Sequence, residues 1–100
     1  MLRTSLALTF LALPCATPAL ADSAKTALLA GACVNCHGPH GAGSGAIPSI
    51  KGRSESDLIE KMQAARADNP ERGTVMPRLM RGYSDEQIVA LAKWFATGGE

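Results

Sequence analysis

Apolar residues gather in four places along the chain. The first is the run Leu6 to Leu13, interrupted only by Thr9, with Arg3 before it and Pro14 and Pro18 after it. It is shorter than the ~20 apolar residues of a membrane-spanning helix. A basic start, a short apolar core and the small-x-small sequence Ala19-Leu20-Ala21 predict an export leader cut after Ala21. A retained anchor is the alternative. Cys15 raises lipid attachment, but Pro14 is not the small residue such a site resembles, so Cys15 is assigned to the leader. The chain then divides into a leader, 1–21, and a single exported domain, 22–100, with no membrane span. Its expected location is the periplasm.

The other groupings predict helices. Asp22 and Ser23 can cap a helix from about Ala24 to Cys33, which carries Ala27, Leu28, Ala30 and Ala32; Gly31 suggests close approach by another element. Gly38 to Gly52 has no apolar period and reads as a loop. Ser54-x-x-Asp57 opens a second helix with an apolar face of Leu58, Ile59, Met62 and Ala65, ending near Asp68-Asn69-Pro70. Glu71 to Tyr83 reads as irregular, punctuated by Gly73, Pro77 and Gly82. Ser84-x-x-Gln87 caps a last helix with Ile88, Leu91, Ala92 and Phe95 on one stripe, Val89 and Trp94 beside it, and Gly98-Gly99 at its end. No strand pattern and no internal repeat occur, so the expected class is all-α.

Composition sharpens one point. The formal charge is +1, and loss of Arg3 with the leader brings it to zero. Neither nucleic acid nor an anionic membrane is implied as a partner. A domain this small buries little core and usually needs a staple or a prosthetic group. Cys33 and Cys36 stand too close in sequence for a disulfide to constrain much of the chain.

Those cysteines belong to Cys33-Val34-Asn35-Cys36-His37, the order of covalent haem attachment. Two thiols add across the two vinyl groups, two intervening residues set the span, and the adjacent imidazole binds iron through Nε2. Cys33 and Cys36 are therefore candidate anchors of one haem c, and His37 its proximal ligand. A zinc knuckle would have only Cys33, Cys36, His37 and His40, crowded into one short segment, for its four ligands. A redox dithiol would want a βαβ setting. The tract Gly41-Ala42-Gly43-Ser44-Gly45 lacks the Gly-Lys-Ser/Thr ending of a phosphate loop and follows no strand.

A second axial ligand must come from the opposite face. His40 is too near His37 and reads as a solvated loop residue, and lysine is the less favoured donor in an oxidised carrier. Met62 lies on an apolar helix face, where methionine is usually core. Met76, in an irregular stretch beside Pro77, is preferred; Met80 is the fallback, otherwise a wall residue. His/Met ligation raises the reduction potential and leaves no open site on iron, which suits electron transfer.

The placement of Cys33–His37, the later Met76-Pro77 loop and the terminal Leu91-Ala92-Lys93-Trp94-Phe95-Ala96 resemble class I cytochromes c over essentially all of residues 22–100. The resemblance implies three to four helices around the haem, with the first and last crossing at Gly31 against Trp94 or Phe95. It also implies that the Pro48 carbonyl accepts a hydrogen bond from His37 Nδ1, which makes Pro48 part of the haem site. Cys36-His37-Gly38-Pro39-His40-Gly41 and Thr74-Val75-Met76-Pro77-Arg78-Leu79-Met80-Arg81-Gly82-Tyr83-Ser84 are similar to the cytochrome subunit of flavocytochrome c sulfide dehydrogenase, apart from Pro77 and Met80. There the corresponding methionine ligates iron, which favours Met76. Some members of that family carry two haem motifs; this chain has one.

The expected role is electron transfer, with no catalysis by this chain alone. The partner would be a sulfide-oxidising flavoprotein. The alternative is a free monohaem carrier serving another dehydrogenase or a terminal oxidase. A non-haem metal or dithiol protein and a gas-binding cytochrome with an open iron site are further readings. Lys25, Lys51, Lys61, Arg78 and Arg81 are candidates for the haem edge. Arg78 and Arg81 are preferred for partner or propionate contact, and Tyr83 is expected to pack beneath the ligand loop.

Overall fold

The structure, a computed structural model, describes residues 18–71 and 73–99, together with Met1, Ala12 and Pro14. Most of the predicted leader, including Arg3 and Cys15, lies outside the described residues. The described chain is helical, in the order α1 (Pro18–His37), a 3₁₀ turn (Pro39–Gly41), α2 (Glu55–Ala67), α3 (Met76–Met80) and α4 (Asp85–Ala96).

α4 is the centre of the packing. It lies against both α1 and α2, and α2 also packs on α3. Its stripe Ile88, Leu91, Ala92 and Phe95 is completely buried. Ala30 and Cys33 of α1, Leu58 and Met62 of α2, and Met80 of α3 complete the core.

The start of α4 follows the sequence pattern in full. Gln87 N–H donates to Ser84 Oγ at 3.2 Å, and Ser84 N–H donates to Gln87 Oε1 at 2.9 Å, a complete capping box. At α2 only half of the expected pair forms. Asp57 N–H donates to Ser54 Oγ at 3.2 Å, but the Asp57 carboxylate pairs with Arg53 Nε at 2.8 Å. A charged donor one turn away outcompetes the cap's own amide for that carboxylate.

Three expectations are corrected. α1 extends further at both ends than Ala24 to Cys33, so Asp22 and Ser23 lie inside it. Proline is accepted in a first turn, which lets the helix begin at Pro18. At the other end it runs through His37 and stops where Gly38 turns to φ 83°. The second correction concerns Met76–Met80, expected to be irregular: it forms a single short helix opened by Pro77. A helix of five residues is too short to display a period. The third concerns Gly31. It is exposed, and a Cβ there would meet nothing within 4 Å; the α1 residue buried against α4 is Ala30.

The close approach occurs instead at Gly41. Its φ is +75°, and a Cβ there would stand 2.7 Å from Ile50 Cγ1 and 2.8 Å from Phe95 Cδ1. Its carbonyl accepts the amides of Ile50 and Lys51 at 2.8 and 3.0 Å. Gly52 N–H then donates to the Phe95 carbonyl at 2.9 Å. These bonds fold the glycine-rich loop, which holds an isolated antiparallel bridge between Ser44 and Ile47, back onto α4. Pro48 is thereby brought beside α1.

Candidate functional site

The last turn of α1 places Cys33, Cys36 and His37 along a cleft of about 210 Å³. Its lining is almost wholly apolar and is completed by Pro48 and Ile50 from the loop, Leu58 and Met62 from α2, and Met76, Leu79 and Met80 from α3. Cys33 and His37 are one helical turn apart, so they share a face. Cys33 is buried and Cys36 is exposed, and both thiols are free.

His37 is 7% exposed, and its orientation is fixed from outside the helix. Nδ1 stands 2.7 Å from the Pro48 carbonyl oxygen. A carbonyl only accepts, so Nδ1 carries the proton and Nε2 is the lone-pair nitrogen. Nε2 has no hydrogen-bond partner among the described residues. This tautomer is the one a metal-binding imidazole needs.

Burial pushes the Cys33 thiol above its ordinary range. Burial also raises the Tyr83 phenol, with a smaller contribution from the charge Cys33 would carry. Tyr83 is part-buried and packs against the hydrophobic core. Met80 is 2% exposed and Met76 part-buried. The two are four residues apart on one face of α3, and both line the cleft.

Charges at the cleft differ from the sequence expectation. The cationic residues lining it are Arg53 and Lys61. Arg53 is paired with Asp57; Lys61 has no ion pair among the described residues. Arg78 and Arg81 instead turn toward main chain before α3: Arg78 Nε donates to Pro70 O at 2.8 Å, and Arg81 Nη2 reaches Asp68 O at 3.5 Å. Arg53 was missed because its place depends on the loop folding back. His40 is exposed and has φ 56°, and its Nδ1 lies 3.1 Å from Gly99 O. It ties the chain's end to the loop and does not line the cleft.

The donor set fits a covalently held haem. Two free thiols and a tautomerically fixed imidazole share one helix end, an apolar cleft adjoins them, and thioethers are contributed from another element. Among the described residues no three His, Cys, Asp or Glu side chains cluster as a zinc site would require.

Comparisons with known proteins agree in kind. Residues 21–98 match the family described as Cytochrome c. The cytochrome subunit of sulfide dehydrogenase from Chlorobaculum tepidum is 35% identical over 88 residues, covering 82% of this chain and 76% of that protein. Cytochrome c-553 from Nitratidesulfovibrio vulgaris is 32% identical over 80 residues, covering 76% of this chain and 78% of that protein. A thiosulfate dehydrogenase electron acceptor from Stutzerimonas stutzeri is 36% identical over 73 residues, covering 68% of this chain but only 33% of that protein. With the family matched across residues 21–98 and an all-helical fold built around Cys33, Cys36 and His37, the chain belongs to the cytochrome c family as a class I c-type cytochrome, an electron-transfer protein whose family binds haem c covalently.

Proposed function

We propose that this chain is a periplasmic monohaem cytochrome that takes electrons from a sulfide-oxidising flavoprotein and passes them on singly. The observation carrying the haem site is the 2.7 Å bond from His37 Nδ1 to the Pro48 carbonyl, made at the edge of a cleft that Met76 also lines. The sulfide assignment rests on the relative from Chlorobaculum tepidum and on the Thr74–Ser84 segment.

In this reading the leader is removed after Ala21. Asp22 then becomes the first residue of α1, where a carboxylate suits the helix dipole. Cys33 and Cys36 would anchor the haem, and His37 through Nε2 and Met76 through its thioether would hold the iron. The haem supplies a one-electron iron couple. The chain's own residues set its surroundings: Pro48 keeps His37 in one tautomer, and Leu58, Met62, Leu79 and Met80 exclude water. Lys61 and Arg53 supply positive charge for the propionate carboxylates. Exposed Cys36 marks the side where an anchored ring comes nearest solvent, and Val75, 65% exposed, lies at the same cleft.

The second reading is a freely diffusing carrier, favoured by the likeness to cytochrome c-553. Holoprotein made with a haem-attachment system separates the two. Stable co-purification with a flavoprotein, and haem reduction by sulfide only when that flavoprotein is present, are the expected results. A monomer that gains no electrons from the flavoprotein and sulfide would replace the first reading with the second.

A further inference from the structure

Met76 stands at the first position of a helix with little stability of its own. α3 has five residues, well below the ~12–15 at which isolated helices become even marginal. Val75 offers no capping side chain, and the first turn holds no acid. Pro77 and Met80 are buried and fix the helix to the core, whereas Met76 is only part-buried. The segment before α3 gives Met76 little further support through apolar contact, since Gly73, Thr74 and Val75 are exposed.

One side chain closes this segment firmly. Arg78 donates from Nε to the Pro70 carbonyl at 2.8 Å, which ties the chain just past α2 to α3 two residues after Met76. Arg81 reaches Asp68 O at 3.5 Å, beyond a good hydrogen-bond length. Arg66 of α2 holds the far side, donating from Nη1 to the Tyr83 carbonyl at 3.1 Å and pairing through Nη2 with Asp85. Arg66 is part-buried and joins α2 to the start of α4, so its loss would loosen the whole domain. Arg78 is exposed, and its side-chain hydrogen bond among the described residues goes to Pro70, so its loss acts locally.

We propose that Arg78 is a positioning residue for Met76: its bond to the Pro70 carbonyl holds the start of α3 in place so that the thioether stays on the haem iron. This rests on Met76 being the distal ligand. Removing the bond restores conformational freedom to that segment. That favours the state in which sulfur has left iron, while the buried core of α1, α2 and α4 is untouched.

The test uses ferric holoprotein carrying Arg78→Ala, Arg78→Lys, Arg66→Ala or Met76→Ala. Two quantities are read: the pH at which the weak long-wavelength sulfur-to-iron band is half lost, and the denaturant midpoint of helix unfolding. Arg78→Ala is expected to raise the sulfur-off population about three- to tenfold, the size of losing one exposed charge-assisted hydrogen bond. The band midpoint then falls by about half to one pH unit with the unfolding midpoint nearly unchanged. Arg78→Lys, which keeps the charge and most of the stem, should fall in between. Arg66→Ala should lower both quantities together. An Arg78→Ala band midpoint equal to that of the parent, or one that moves only in step with unfolding, overturns the proposal. Survival of the band in Met76→Ala overturns the ligand assignment instead, and the proposal with it.

Discussion

The ring of His37 and the main-chain carbonyl of Pro48 are joined by a 2.7 Å hydrogen bond across eleven residues of sequence. The bond exists because α1 ends at His37 and because Gly41 lets the following loop return against Phe95. It fixes which ring nitrogen is free, and so couples the conformation of a glycine-rich loop to the chemistry of the imidazole.

Weakening that bond should change the iron couple. Pro48→Ala keeps the carbonyl but releases the fixed φ that aims it. A less firmly bonded Nδ1–H makes Nε2 a weaker donor and disfavours the ferric state. The reduction potential is expected to rise by about 20–60 mV, the one-electron equivalent of a net hydrogen bond, as read by spectroelectrochemical titration.

Gly41 should be the least replaceable residue of the loop. Gly41→Ala forces a side chain into φ +75° and against Ile50 and Phe95. Left-handed backbone costs a non-glycine residue about 1–2 kcal/mol, and overpacking about 1–3 kcal/mol more. A loss of about 2–5 kcal/mol is expected in denaturant unfolding, whereas Gly31→Ala, with open space around it, should be neutral or slightly stabilising.

The helix caps give a graded comparison. Ser84→Ala combined with Gln87→Ala breaks both arms of a capping box and should cost about 1–2 kcal/mol. Ser54→Ala breaks a single capping bond, from the Asp57 amide, and a longer surface contact with Ser56, and should cost about 0.5–1 kcal/mol. Thermal unfolding of the two variants orders them.

The two cysteines of haem-free protein should differ in reactivity. Cys36 is exposed and Cys33 buried, and the Cys33 thiol is raised by burial. The thiolate is the nucleophile, so a raised pKa leaves less of it at any pH below that pKa. Iodoacetamide near neutral pH should modify Cys36 first, and Cys33 should catch up only as pH rises past the ordinary thiol range. Mass spectrometry of partially alkylated protein reads the order.

Much of the helical framework is legible in the sequence because its signals are local. The stripe of α4, its capping box and the Pro70 stop after α2 each depend on residues a few positions apart. The cysteine–histidine motif is legible for the same reason, since its chemistry demands adjacency. What escapes is what depends on distant partners. Gly31 and Gly41 look alike as letters, yet only Gly41 meets Phe95, which lies across the fold. Arg53 stands out in no local pattern, and only the folded loop brings it to the cleft. Arg78 and Arg81 read as candidates for partner or propionate contact, yet they are aimed at the carbonyls of Pro70 and Asp68. α3 is hidden because five residues opened by a proline carry no period.

The assignment of Met76 is the centre of the account, because it turns an anchored haem into a closed electron-transfer site. The most direct measurement is the ferric visible spectrum of Met76→Ala beside Met80→Ala, both as holoprotein. Loss of the long-wavelength sulfur-to-iron band in Met76→Ala, with the band kept in Met80→Ala, is the predicted result. Loss of the band in Met80→Ala, with the band kept in Met76→Ala, would contradict it.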